Sequence, residues 1–391
     1  MITEAEVREA LRSVMDPEIG RPIEDIGMLR GIAIDGGTVR VDVLITIEGC
    51  PLKDRITSDV TAAVAPLDGV ERVAVDLSPM TQEQRETLVQ QLRGGGQPAT
   101  QQRSSITFPA STSIVAIASG KGGVGKSSVT VNLACALAAE GHRIGVLDAD
   151  VWGFSIPRML GVQGKPVGFN DMILPLEGHG VKVISMGFFV PEETPVIWRG
   201  PMLHKAIEQF LGDVYWGDLD FLLCDLPPGT GDVSISLASF IPGASMLVVT
   251  TPQEAARKVA ERAGKMAERT DLRPIGVIEN MSYYLCPHCG ERDDIFGTGG
   301  GQEAADTLGV PLMAQVPLVP ALRAGGDSGA PIVVTDPDDP ASVALRESAH
   351  AVARATKSKV GKPLTLMTNV PAAAGAGLGG HGGHDHTGHR H

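Results

Sequence analysis

What this 391-residue chain lacks narrows its uses before any motif is considered. It has no basic excess: 33 Lys and Arg stand against 46 Asp and Glu, a formal charge of −13. That balance argues against nucleic acid and anionic membrane surfaces as partners. No apolar run approaches the ~20 residues of a membrane span, and no charged segment followed by an apolar stretch opens the chain. Cysteine is scarce. Five thiols do not make an even disulfide framework. Together these absences predict a cytoplasmic protein with reduced thiols that binds neither nucleic acid nor membrane.

What is present is a soluble composition, 43% apolar, on a chain long enough for one large core and a small satellite unit. The first part, 1–93, reads as a small α/β domain. It has a helix at Glu4 to Met15, strands at Met28 to Ile34 and Val39 to Ile47 around an Asp35-Gly36-Gly37 turn, a helix from Pro51, a strand at Arg72 to Leu77 and a polar helix at Gln82 to Arg93. Residues 94–111, beginning GGGQPATQQRSS, have the composition of a flexible tether. From 112 to 362 continuous apolar runs alternate with helical patterns: Ile114 to Ala118, Arg143 to Leu147, Val181 to Ser185, Phe221 to Cys224, Ser245 to Thr250 and Pro274 to Ile278. Such strands are buried on both faces, so this region is expected to be a doubly wound α/β domain around a mostly parallel sheet. The Gly- and His-rich end, 363–391, has no core-forming capacity and is expected to be disordered. Its histidines 381, 384, 386, 389 and 391 are spaced for weak Zn²⁺ or Ni²⁺ chelation.

Between the first of these apolar runs and the helical pattern Val129 to Ala139 lies GKGGVGKSS, Gly120 to Ser128. Gly120, four residues, then Gly125-Lys126-Ser127 form a phosphate-binding loop. Glycines let the backbone N–H groups from Gly120 through Lys121, Gly122, Gly123, Val124 and Gly125 to Ser128 curl around phosphates, Lys126 neutralises them, and the Ser127 hydroxyl ligates Mg²⁺. The ligand is a nucleoside triphosphate. Lys121 is a second cation where a plain loop needs none, and xKGGxGK[ST] resembles the deviant Walker A loop. In that superfamily the extra lysine reaches across a dimer to the partner's nucleotide, meeting transition-state charge as an arginine finger does.

Carboxylates follow at strand ends, where ligands of such folds bind. RIGVLDAD ends in Asp148 and Asp150. Similarity to the superfamily assigns Asp150 a place near Mg²⁺ and the attacking water; Asp148 either shares the Mg²⁺ shell or caps a turn. Asp225, at the end of FLLCD and the head of LPPGTGD, reads as the Walker B aspartate before a switch loop. Asn280, in GVIENMS after a strand, matches the superfamily's adenine-reading Asn.

Cys286-Pro-His-Cys289 is a two-thiolate fork in a turn, a pattern of metal or redox chemistry. Two thiolates are too few for a four-coordinate cluster or structural zinc, while Cys135 and Cys224 fall in a helix and a buried strand. The count closes when two chains each contribute Cys286 and Cys289 across a two-fold axis, the same homodimer that Lys121 requires. His288 reads as a turn residue.

Over roughly residues 110 to 350, GKGGVGKSS, DADVWGFSIP, the segment Trp198 to Met202, CDLPPGTGD, TTPQE, ENMSYYLCPHCG and Ile295-Phe296-Gly297 together resemble the Mrp/ApbC family of iron–sulfur cluster carrier ATPases. The resemblance implies slow, dimer-dependent ATP hydrolysis and a labile [4Fe–4S] cluster, held at the dimer interface by Cys286 and Cys289 and passed to apoproteins. Trp198 and Arg199 receive no role beyond packing. The first domain is similar to small iron–sulfur assembly domains of the SufT/PaaD type through Asp16-Pro17-Glu18, Asp25-Ile26-Gly27 and TIEGCP. There Cys50, just before a helix start, is either a cluster-handling thiol or a packing residue. Two other readings compete: a MinD/ParA-like positioning switch, which predicts a basic amphipathic terminal helix, and an ATPase with structural zinc at the same CxxC.

Overall fold

A computed structural model describes residues 2–17, 19–45, 53–92, 108–109, 111–150, 153–169, 172–189, 200–229, 234–235, 238, 240–253, 256–286 and 288–357. Cys50, Trp198, Arg199, most of the expected tether and the His-rich end lie outside them.

The amino-terminal unit contains α1 (Glu4–Leu11), β1 (Leu29–Asp35), β2 (Thr38–Ile45), α2 (Lys53–Val64), β3 (Arg72–Pro79) and α3 (Gln82–Leu92). Helix α1 opens on a capping box: Thr3 Oγ1 accepts the Glu6 N–H, and Glu6 Oε2 accepts the Thr3 N–H at 2.9 Å. It stops at Leu11 rather than continuing to Met15 as the apolar spacing predicts. Beyond it Asp16 accepts the Ile19 N–H and Met15 bridges Pro22, turning the chain away from the helix. β1 and β2 pair antiparallel around Gly36-Gly37, and β2 pairs parallel with β3 across α2. Val39, Val41 and Val43 alternate inward against Val7, Leu11, Ile56 and Val60.

The large unit begins with β4 (Ser113–Ser119), α4 (Lys126–Ala139), β5 (Ile144–Asp148), α5 (Ile156–Met159), β6 (Val167–Phe169), β7 (Met172–Leu174), β8 (Leu176–Gly178) and β9 (Val181–Ser185). It continues through α6 (Gly200–Gly212), β10 (Phe221–Asp225), β11 (Ser245–Thr250), α7 (Ala256–Thr270), β12 (Arg273–Leu285), β13 (Arg292–Asp293), α8 (Gly300–Leu308), β14 (Leu312–Leu318), α9 (Pro320–Ser328), α10 (Ile332–Thr335) and α11 (Pro340–Lys357). Spatially the sheet runs β13-β12-β11-β4-β10-β5-β9-β8, with β14 also on β12. Only the edge pairs β8–β9 and β12–β13 are antiparallel among its described strands.

Alternation along the central strand builds two cores. Ile114, Ala116 and Ala118 face the layer carrying α6, α7 and α8, whereas Val115 and Ile117 face α4 and α11. Both layers exclude water, which is why these strands read as unbroken apolar runs. β4 lies between β10 and β11, so the chain departs from it in both directions and its carboxyl end opens onto a crevice.

Candidate functional site

The loop Gly120 to Gly125 fills that crevice and leads into α4, whose first N–H groups and dipole face it. Gly125 has φ +79°, and an added Cβ there would sit 2.2 Å from Asn280 Nδ2, so only glycine fits. The loop borders a cavity of about 400 Å³ whose wall also includes Asp150, Ser155, Met159 and Pro228.

Lys126, on the cavity wall, meets the fully buried Asp225 behind it. Nζ lies 2.7 Å from Oδ2, with the two side chains 6% and 0% exposed, yet the ammonium makes no aligned hydrogen bond. A buried cation with unspent donors, beside a row of loop amides, fits phosphate oxygens. Ser127 Oγ donates to the same Oδ2 at 2.6 Å, bringing together the hydroxyl and carboxylate expected around Mg²⁺. Thr130, absent from the expected set, donates to Asp225 Oδ1 at 2.8 Å and also to the Lys126 carbonyl. It lies one helical turn after Lys126, a spacing that flags it once the helix is known.

Asp148 and Asp225 are register neighbours on β5 and β10. Asp148 is buried, and burial first, then the charge of Asp225, pushes its carboxyl up to about 8. It accepts Ser185 Oγ at 2.9 Å and the Asp150 N–H at 3.2 Å. Of the two expectations for Asp148, these contacts match the turn cap. Asp150 stands on the cavity wall and accepts the Gly153 N–H.

Lys121 is exposed at the rim, and its Nζ donates to Gln253 Oε1. Gln253 belongs to TTPQE, a segment in which the sequence alone indicated no role for it.

Asn280 is not beyond a strand but inside one, because β12 runs to Leu285 instead of ending near Ile278. Its amide is 2% exposed, donates to the Val124 carbonyl at 2.9 Å and does not line the cavity. In this conformation Asn280 braces the loop from behind, with one amide N–H on Val124 and its Oδ1 buried without a partner.

Six residues further along β12 the strand delivers Cys286 to a hairpin closed by Tyr284–Asp293 and Leu285–Arg292 pairing with β13. Cys286 is half-buried and Cys289 exposed. The His288 and Cys289 N–H groups, and then the Cys289 thiol, donate to Cys286 and hold its thiol below the ordinary range. Amides aimed at sulfur are the environment that favours a thiolate ligand. Among the described residues no group of three or more His, Cys, Asp or Glu is arranged to hold a metal ion. In contrast, Cys135 and Cys224 are sealed in the cores, where burial pushes both up to about 12.

Residues 110–353 match the family described as NUBPL iron-transfer P-loop NTPase, and residues 4–77 match the iron-sulfur cluster assembly protein family. An iron-sulfur cluster carrier protein of Mycobacterium leprae is 51% identical, over 92% of this chain and 95% of its own length. One of Synechocystis sp. is 42% identical, over 90% and 98% respectively. A solved nucleotide-binding protein from Archaeoglobus fulgidus, in complex with ADP and with cobalt found in it, superposes with a TM-score of 0.50 at 38% identity. That likeness covers 56% of this chain and 87% of that one.

Proposed function

The chain belongs to the NUBPL-type iron-transfer P-loop NTPases, and from that membership we propose that it is an ATP-dependent iron–sulfur cluster carrier serving apoprotein clients. It is an ATPase of the P-loop class. Lys126 and the amides of the loop hold the phosphates, and Ser127 with Asp225 organises Mg²⁺. Asp150, on the cavity wall, orients the attacking water. Asn280 serves this site by fixing the Val124 carbonyl. Lys121, held by Gln253 within its own chain, transfers to the nucleotide of a second copy when two chains close, so hydrolysis is slow until they do.

The cargo is a cluster of the [4Fe–4S] type, bound by Cys286 and Cys289 of two copies. One observation carries this: a pair of thiols, Cys289 exposed and Cys286 half-buried with backbone N–H groups directed at its sulfur, has half the ligands a cluster needs. Two copies related by a two-fold axis supply four. The thiols must stay reduced to accept cargo, a condition the cytoplasm meets, and we assign the protein to it. No described helix is long and apolar enough to cross a membrane.

Anaerobic reconstitution with iron and sulfide tests the reading. A brown protein with broad absorption near about 400 nm, lost in Cys286→Ala and accompanied by a dimer in light scattering, is the expected result. Stoichiometric zinc that survives iron and sulfide addition would overturn it.

A further inference from the structure

The two thiols ride on an excursion of the chain between Asn280 and Gly301. Strand β12 shifts register against β14 beyond Asn280, where Met281 takes φ 54°. It then runs out through the hairpin with β13, and residues 288–299, all exposed, return the chain to Gly300 at the start of α8.

Both limbs of this excursion close on one side chain. Glu279, 0% exposed, accepts Ser282 Oγ at 2.5 Å from the outgoing limb. Its other oxygen, Oε2, accepts the Gly301 N–H from the returning limb. Gln315 Nε2 on β14 donates to Oε1 at 2.8 Å. The fit leaves no slack, since a Cβ on Gly301 would lie 2.6 Å from Glu279 Cβ.

Each limb also touches the nucleotide machinery one residue from Glu279 or from its partner. Asn280 holds the Val124 carbonyl of the phosphate loop. Gly300 donates its N–H to the Pro252 carbonyl, and the neighbouring Gln253 accepts Lys121. The phosphate loop is thus tied to the outgoing limb, and the segment that holds Lys121 packs against the returning limb at Gly300. Nothing in the ATPase chemistry uses Glu279, which does not line the cavity.

We propose that Glu279 is a positioning residue for the thiolate turn: it ties the two limbs together so that nucleotide binding is passed to Cys286 and Cys289. This rests on the carrier reading above. By linkage, ligation at the thiols alters nucleotide affinity by the same factor.

The test is the alkylation rate of Cys286 and Cys289 by iodoacetamide in the full, cluster-free chain, followed by peptide mass spectrometry with and without Mg·ATP. In the wild-type protein ATP slows the reaction at least ~5-fold. Glu279→Gln, which turns an amide NH₂ toward donors, and Ser282→Ala, which removes only the outgoing strut, both bind a fluorescent ATP analogue normally while the ratio falls to about one. A merely structural role would lower the melting temperature and leave the ratio intact. If Glu279→Gln does not fold, Ser282→Ala decides. Retention of the wild-type ratio in the variants, or its absence in the wild type, overturns the proposal. Reconstitution is read separately: failure of the wild type to assemble a cluster sinks the carrier reading, whereas an assembled cluster with nucleotide-insensitive thiols sinks the clamp alone.

Discussion

Lys126 Nζ and Asp225 Oδ2 lie 2.7 Å apart in a spot almost closed to water, so each charge depends on the other. Removing one partner of a buried pair leaves the other uncompensated. Lys126→Ala is expected to lower stability in urea denaturation by about 3–5 kcal/mol and to abolish ATP turnover. Asp225→Asn neutralises the second charge, so adding it to Lys126→Ala recovers part of the lost stability. A double variant no more stable than the single one would show that the pair is not coupled.

Asp148 makes stability depend on pH. Its folded-state carboxyl, raised to about 8, holds a proton that the unfolded chain releases near the ordinary carboxylate range. The native state therefore binds more protons across this window, and its stability falls as pH rises toward about 8, by up to ~1.4 kcal/mol per pH unit. Asp148→Asn removes that slope. Thermal melts should show the variant gaining on the wild type with rising pH and the gap levelling off above about 8; parallel curves would refute the assignment.

Lys121→Ala is expected to reduce ATP turnover by ~10³-fold while nucleotide affinity is retained, since the exposed ammonium lies at the rim. Lys121→Arg keeps a cation and recovers part of the rate. Gln253→Ala removes the intrachain acceptor, so dimers should form with ATP at a protein concentration up to roughly tenfold lower. Sedimentation across a concentration series measures that shift.

The four described cysteines should divide sharply under alkylation at neutral pH. Cys286 and Cys289 react, whereas Cys135 and Cys224, pushed up to about 12 by burial, stay unmodified until the protein unfolds. Labelling of Cys135 or Cys224 in the folded protein would contradict the core packing.

Much of this was legible in the chain because local chemistry is local. The strands Val181–Ser185 and Ser245–Thr250 have the bounds their apolar runs predict, and the glycines of the phosphate loop announce backbone geometry that other residues cannot adopt. Two boundaries were not legible. Helix α1 stops at Leu11 because Asp16 organises a competing turn, and β12 extends to Leu285 because β13 and β14 supply it with partners beyond its apolar stretch.

The side chains that support the site were the least visible. Thr130, Ser185, Gln253 and Glu279 are polar residues of ordinary type whose partners stand between 3 and 132 positions away.

The order of residues alone determined that a phosphate loop follows a buried strand, that a second lysine stands beside it, and that two thiols flank a tight turn. These are properties of short segments, written by glycine freedom, charge and spacing. Only the folded sheet decided that Asn280 braces the loop from behind and that Lys121 rests on Gln253. It alone decided, too, that one buried carboxyl gathers both limbs of the thiol-bearing excursion. Hydrogen bonds between residues distant in sequence depend on strand order and register, which no local pattern encodes.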